Sequence, residues 1–409
     1  LRFRFIFHHG DDDWRHSKDQ GGQAIPVVVP IAVPVASAAP IAPSVALRLA
    51  QRVCGVALTT SMRRLFEESK AQFARRWILV DNSGSMAMHD GNRINPTTGR
   101  SVACTRWEEL TASLAFHGEM AELLQAETVF QLLNRPGGSA AQRVALGRNN
   151  PRGIAELTRA LATSPTGGTP LCSHLRTIAA ELKALAPEFN RCHQRAVLII
   201  ATDGESSDGD IASALKPFAR LPCTVVIRLC TDSPRIVKYW NEIDDDLELE
   251  LDVLDDHEAE AAECAAKNPW LTYSLPIHRL REWGAPSKLF DLIDERAFHP
   301  RELARFADVL LASGGGGSGS LRQTLDDAGP IAFGDALVQC LLDEPSVADP
   351  LRKSAMRPII DAAMATRVAK GERVTSTHLL YLDALKSASA AKPLLALAVL
   401  IALAVIFFL

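Results

Sequence analysis

Arg76-Trp77-Ile78-Leu79-Val80-Asp81-Asn82-Ser83-Gly84-Ser85-Met86 runs from an apolar strand pattern straight into a turn carrying one carboxylate and two hydroxyls. Alternate residues of an extended segment point the same way, so Asp81, Ser83 and Ser85 can converge on one point above the edge of a sheet. Hard oxygens of this kind suit Mg²⁺ (or Mn²⁺). Magnesium takes octahedral oxygen coordination at about 2.0–2.1 Å, so three protein oxygens leave its shell incomplete. Two later segments have the chemistry to add to it. Thr166-Gly167-Gly168-Thr169-Pro170 displays a hydroxyl on a glycine turn. Ala201-Thr202-Asp203-Gly204-Glu205 places a carboxylate after the apolar run Ala196-Val197-Leu198-Ile199-Ile200. The plainer alternative is a Ser-rich turn that only caps a helix.

These three segments, in this order, resemble the von Willebrand factor A (vWA) family and its metal-ion-dependent adhesion site (MIDAS), which combines a DxSxS turn with a distant threonine and a distant aspartate. DxSxS alone is a weak signal. Joined to a preceding apolar strand, GGTP at mid-domain and TDGE after a second apolar strand, it becomes specific. The resemblance spans roughly residues 74 to 255. It implies a metal held by Asp81, Ser83, Ser85, Thr169 and Asp203, with Asp203 acting through water and one coordination position left open for a partner's acidic side chain.

The surrounding pattern agrees with an α/β class. Strand patterns at Arg76–Val80, Thr128–Leu133, Ala196–Ala201 and Cys223–Leu229 alternate with helix patterns at Trp107–Leu124, Gly153–Thr163, Leu171–Leu185 and Ile211–Ala219. Such alternation predicts a doubly wound, mostly parallel sheet (vWA/Rossmann-like) with crossover helices on both faces. Ligands of such sheets sit beyond the carboxyl ends of the strands, where Asp81 and Asp203 both fall. The stretch Ala87–Arg106 is long for a strand-to-helix connection, and its His89 and Asp90 are candidates for a further ligand or a partner contact, against a plain solvated loop. Acid-rich Asn241–Glu263 alternates at Leu247–Val253, which predicts an edge strand with one acidic face.

The expected organisation is a low-complexity Pro/Ala-rich tail at 1–45, a helical lead-in at 46–75, the vWA-like domain at 76–256 and a helical extension at 257–312. In the extension, helices open near Pro286 and His299; a Gly/Ser linker at 313–320 and a small helical module at 321–390, with helices at Ala332–Leu342 and Ala355–Thr366, follow. From Pro393 to Leu409 every residue after the proline is apolar. A helix of that length measures about 26 Å, close to the hydrocarbon thickness of about 30 Å, and predicts a C-terminal hydrophobic helix that crosses a membrane. Lys386 and Lys392 precede it, so the positive-inside rule places the folded part in the cytoplasm.

Bulk composition narrows the function classes. A net charge of −4 with no basic stripe argues against a nucleic-acid partner, because such binding needs clustered Lys and Arg. Eight cysteines without CxxC or zinc spacing predict free thiols in a reducing compartment, and hence an intracellular protein. The leading expectation is a membrane-tethered module that binds a protein partner through Mg²⁺, and not an enzyme. Its rivals are a Mg²⁺-dependent phosphotransferase or hydrolase using Asp81, and an adaptor for a separate ATPase or membrane assembly. Against the phosphotransferase, Ser83 stands where a second aspartate is needed and no GxxxxGK[ST] loop occurs.

Overall fold

The computed structural model describes residues 52–375 apart from positions 96, 97, 99, 148, 149, 151, 232, 248, 286, 312–319, 343, 353 and 354. The tail at 1–45, most of the Gly/Ser linker, the end of the 321–390 module and the apolar segment 393–409 therefore lie outside the described residues. Among the described residues no helix is long and apolar enough to cross a membrane.

A six-stranded, mostly parallel sheet forms the centre, with twelve α-helices in the described chain. Its strands are β1 (Phe73–Val80), β4 (Thr128–Leu132), β5 (Arg143–Leu146), β6 (Arg195–Thr202), β7 (Cys223–Leu229) and β8 (Leu251–Leu254), in the spatial order β5-β4-β1-β6-β7-β8. All neighbours are parallel except β4 and β5, which pair antiparallel. Ile78 faces Phe130 on one side and Ile199 on the other, so β1 and β6 lie in the interior of the sheet and read as continuous apolar runs.

Alternation along each strand divides the core between two faces. Ile78, Val80, Phe130, Val197 and Ile199 belong to one buried cluster, shared with α1 (Thr60–Gln72), α2 (Arg106–Leu124) and α3 (Gly153–Leu161). Trp77, Leu79, Val129, Leu198 and Ile200 belong to the other, shared with α4 (Leu171–Arg191), α5 (Ile211–Leu215) and α6 (Pro234–Asp246). Each fully buried aliphatic side chain contributes about 1.5–3 kcal/mol, so these central strands carry much of the driving force. Helix α2 begins at a capping box in which the Thr105 hydroxyl accepts from Glu108 N and the Glu108 carboxylate accepts from Thr105 N.

Beyond β8 come α7 (His257–Lys267), α8 (Leu275–Glu282), α9 (Leu292–Glu295), α10 (Pro300–Leu311), α11 (Leu321–Leu342), the strand pair β9 (Val347–Asp349) and β10 (Ala355–Arg357), and α12 (Ala362–Ala369). Their side chains Trp270, Trp283, Phe306, Phe333 and Met364 join the same cluster as Ile78 and Phe66. Lead-in, extension and final module thus share one core with a face of the sheet. Arg76 is buried at the start of this face, donating to Trp283 O and to Ser69 O and Oγ, with its guanidinium 4.2 Å from the Trp283 ring. Burial lowers its pKa to about 9.

Several local expectations are corrected. Among the described residues of the lead-in, the helix begins at Thr60, because Cys54 and Gly55 turn the chain with φ of 45° and 80° and the Thr59 hydroxyl caps the helix. β1 begins at Phe73, three residues early. The acidic stretch is divided: Asp244–Asp246 end α6, and only Leu251–Leu254 forms the edge strand β8. Asp252 is not part of a solvated face, since Arg281 of α8 reaches it at 3.1 Å. A 3-10 turn at Lys288–Phe290 replaces the helix expected near Pro286. The segment 355–366 starts as β10 and becomes helical only after Asp361, whose carboxylate accepts from Met364 N. In α11, Gly329 leaves helical geometry at φ 84° just before Pro330. Strand β5 and helix α6 were not foreseen.

Candidate functional site

Parallel pairing of β1 with β6 brings two loops together at their carboxyl ends. Asp81 N donates to Ala201 O at 2.9 Å, which extends the ladder one residue beyond β1 and fixes Asp81 beside Thr202 and Asp203. Asp81 is fully buried. One of its oxygens accepts from Ser83 N at 2.8 Å, an Asx-type turn, and the other accepts from the Thr202 hydroxyl at 2.7 Å. The hydroxyls of Ser83 and Ser85 lie 3.0 Å apart, and Ser85 donates to Asp203 Oδ1 at 2.9 Å. Hydrogen bonds therefore run from Asp81, through the main-chain N of Ser83, and from the Ser83 hydroxyl through Ser85 to Asp203. Ser83 is buried, whereas Gly84 and Ser85 open to solvent.

The third loop is docked on the first. Thr166 N donates to Asn82 O at 2.7 Å and Gly84 N to Gly167 O at 3.1 Å. Asn82 and Asn134 exchange hydrogen bonds through side chain and main chain, and Asn134 Nδ2 also donates to Gly168 O at 2.7 Å. Thr169 is half-buried; its N donates to Ser207 Oγ at 3.1 Å and its O accepts from Ser207 N at 2.8 Å. Its hydroxyl makes no hydrogen bond among the described residues, so Asp81, Ser83, Ser85 and Asp203 are hydrogen-bonded to one another and Thr169 stands on the adjoining loop. Asp208 holds that loop's exit by accepting from Cys172 N and Ser173 N at the start of α4. Although desolvation opposes ionisation, hydrogen bonds from Ser206, Ser173 and Cys172 bring the Asp208 pKa down to about 2.

Gly167 has φ +95°, and a Cβ there would lie 2.6 Å from Asn134 Oδ1. We expect Gly167→Ala to destabilise the protein by on the order of 1–2 kcal/mol, read as a lower denaturation midpoint. An unchanged midpoint would show that the loop absorbs the methyl.

Electrostatics distinguishes the two aspartates. Burial raises the Asp81 pKa; hydrogen bonds from Thr202 and Ser83 oppose that, and the charge of Asp203 reinforces it. Asp81 has no cationic partner among the described residues. Asp203 has one: Arg106, the first residue of α2, donates Nη1 to Asp203 Oδ2 at 2.8 Å. The same guanidinium forks onto Asp90, with Nε to Oδ1 at 2.7 Å and Nη2 to Oδ2 at 2.5 Å. This hydrogen bonding holds the Asp90 carboxyl below its ordinary pKa.

The Ala87–Arg106 connection is therefore not a plain solvated loop. It folds as an antiparallel hairpin of β2 (Gly91–Ile94) and β3 (Ser101–Cys104). Asp90 is committed to Arg106 instead of to the oxygen cluster, and His89 is exposed. Three contributors were not foreseen: Thr202, Arg106 and the Asn82–Asn134 pair. Of these only Thr202, adjacent to Asp203 at the end of an apolar strand, carried a local signal.

The donor set fits a small hard divalent cation. It combines hydroxyls with two carboxylates, one of which is buried without a counter-charge, at the ligand-binding edge of an α/β sheet. A scan against protein-family models finds none that matches the chain, and a search of curated proteins finds no match either.

Proposed function

We propose that this chain is a vWA-like, doubly wound domain that binds a protein partner through a divalent cation, Mg²⁺ or Mn²⁺, held by Asp81, Ser83, Ser85, Thr169 and Asp203. The observation that carries this reading is the joined oxygen set of Asp81, Ser83, Ser85 and Asp203, in which the buried Asp81 has no cationic partner among the described residues. Support also comes from the strand order, which puts the first and third sequence motifs on adjacent parallel strands.

When bound, the cation supplies an open position that a partner's carboxylate oxygen can fill. Asp81 and Asp203 contribute charge. Ser83 and Ser85 fix the spacing between the carboxylates through their mutual contact, and Thr169 offers a hydroxyl from the adjoining loop that has no hydrogen-bond partner among the described residues. The exposed edge at Gly84 and Ser85 gives the partner access. Binding is favoured over catalysis, since both Asp81 oxygens accept hydrogen bonds and no basic side chain pairs with Asp81 among the described residues. We place the domain on a membrane through 393–409, facing the cytoplasm, on the composition of that segment.

The test is retention of Asp- and Glu-containing peptides from a randomised library by the immobilised full chain. Enrichment of acidic peptides in Mg²⁺, lost in chelator and in Asp81→Ala, is expected. Equal retention at saturating chelator would remove the cation from the mechanism.

A further inference from the structure

Building on the cation-site reading, we propose that Arg106 tunes this site for an anionic ligand by engaging Asp203, weakening cation uptake while making the loaded site more positive than a neutral side chain would. The placement of Arg106 is unusual. A basic residue at the first position of a helix faces the positive end of the helix dipole, so α2 gains nothing from it. The capping box of Thr105 and Glu108 already satisfies that helix end. Nor does the hairpin need the Asp203 contact. Its base is held independently by the Arg106 fork onto Asp90, by Arg106 N to Met88 O at 3.0 Å, and by Asn92 N to Glu109 Oε2 at 2.9 Å. The remaining link, Nη1 to Asp203 Oδ2, is directed at the cation site itself.

Charge counting gives the consequence. Asp81 and Asp203 are two buried negative charges, and the Arg106 side chain, 8% exposed, is one positive charge beside them. Asp90, forked onto the same guanidinium, offsets part of that positive charge whether or not a cation is bound. With Asp90 held constant, Arg106 makes the set one unit more positive both when empty and with a divalent cation. Without Arg106 the set would be one unit more negative in each state. Arg106 thus lowers the attraction for the cation and keeps the attraction for a carboxylate. It also occupies Asp203 Oδ2, while Ser85 occupies Oδ1.

The experiment uses the full chain, wild type and Arg106→Gln and Arg106→Lys, with two readouts: calorimetric Mg²⁺ affinity, and Mg²⁺-dependent binding of a fluorescent Glu-rich peptide. We expect Arg106→Gln to bind Mg²⁺ roughly tenfold more tightly and the peptide roughly tenfold more weakly. Arg106→Lys, which keeps the charge, should stay near wild type in both. Affinities that fall together, or that do not move, overturn the proposal, as does a wild type that binds Mg²⁺ but no peptide. A wild type without Mg²⁺ uptake overturns the cation-site reading and this inference with it. Should Arg106→Gln fail to fold, the wild type still decides: peptide binding must weaken as KCl rises, and binding indifferent to salt contradicts a charge-based role.

Discussion

Replacing Asp81 by Asn should abolish the proposed Mg²⁺ uptake and, in chelator, raise the stability of the protein by on the order of 1 kcal/mol. Both effects follow from a buried carboxylate whose charge has no cationic partner within the described chain. An Asn side chain can keep the local geometry, with its oxygen accepting from Ser83 N and its amide group donating to Thr202 Oγ1, the reverse of the present Thr202 bond. The charge is what disappears. Because burial and Asp203 raise the folded-state pKa of Asp81, the cation-free protein binds a proton more tightly than the unfolded chain does. The contribution of Asp81 to stability is therefore greatest below the ordinary Asp value, near 3.9, and declines as pH rises through the folded-state pKa. Asp81→Asn removes that decline, so urea titrations in chelator should show the variant gaining on wild type toward neutral pH. A variant that loses stability at neutral pH in chelator would mean that the ionised Asp81 already has adequate compensation.

Glu282→Ala should be the most damaging single change outside the site, at about 3–5 kcal/mol. Glu282 ends α8 and is the hub of a buried network that ties three elements together. It accepts from Ser113 Oγ at 2.8 Å, pairs with His117 Nε2 at 3.1 Å, and accepts from Arg279 Nη1 at 2.5 Å and Arg228 Nε at 3.2 Å. Ser113 and His117 belong to α2, Arg228 to β7 and Arg279 to α8. Truncation would leave the Arg279 and Arg228 donors short of an acceptor in a water-poor interior, although Arg228 keeps Glu109. Burial alone would raise the Glu282 pKa, but Arg279, with His278 and His117 facing the same carboxylate, holds it well below the ordinary range. The stabilisation is thus present above the unfolded Glu value, near 4.3, and is lost as pH falls through the folded-state pKa. Denaturation at neutral pH should show the full loss, and the gap between wild type and variant should narrow only in strong acid. A difference under about 1 kcal/mol at neutral pH would show that the network is dispensable.

How far the sequence revealed this architecture depended on range. β1 and its loop were legible because an apolar run, a period-two alternation and the Asp81-Asn82-Ser83-Gly84-Ser85 turn are all local features. The same holds for β6 with Asp203 and for α2, whose capping box is written in adjacent residues. The partners of Asp81 and Asp203 were harder to see, since Thr202 and Asp81 are 121 residues apart and Arg106 and Asp203 are 97 apart. Such pairs meet only because β1 and β6 are neighbours and α2 starts above them. β5 escaped notice because four residues carry too short an alternation to stand out, and the acidic run misled because Asp252 is drawn inward by a distant arginine, Arg281. In the described part of the lead-in expected at 46–75, the left-handed pair Cys54 and Gly55 and the cap at Thr59 determine where the helix α1 starts.

The most direct test of the central claim is Mn²⁺ uptake by the full-length protein at equilibrium dialysis, comparing wild type with Asp81→Asn and Asp203→Asn. The account predicts saturable uptake by wild type, competed by Mg²⁺ and lost in Asp81→Asn, with Asp203→Asn weakened. Absence of uptake by wild type, or equal uptake by Asp81→Asn, would contradict it.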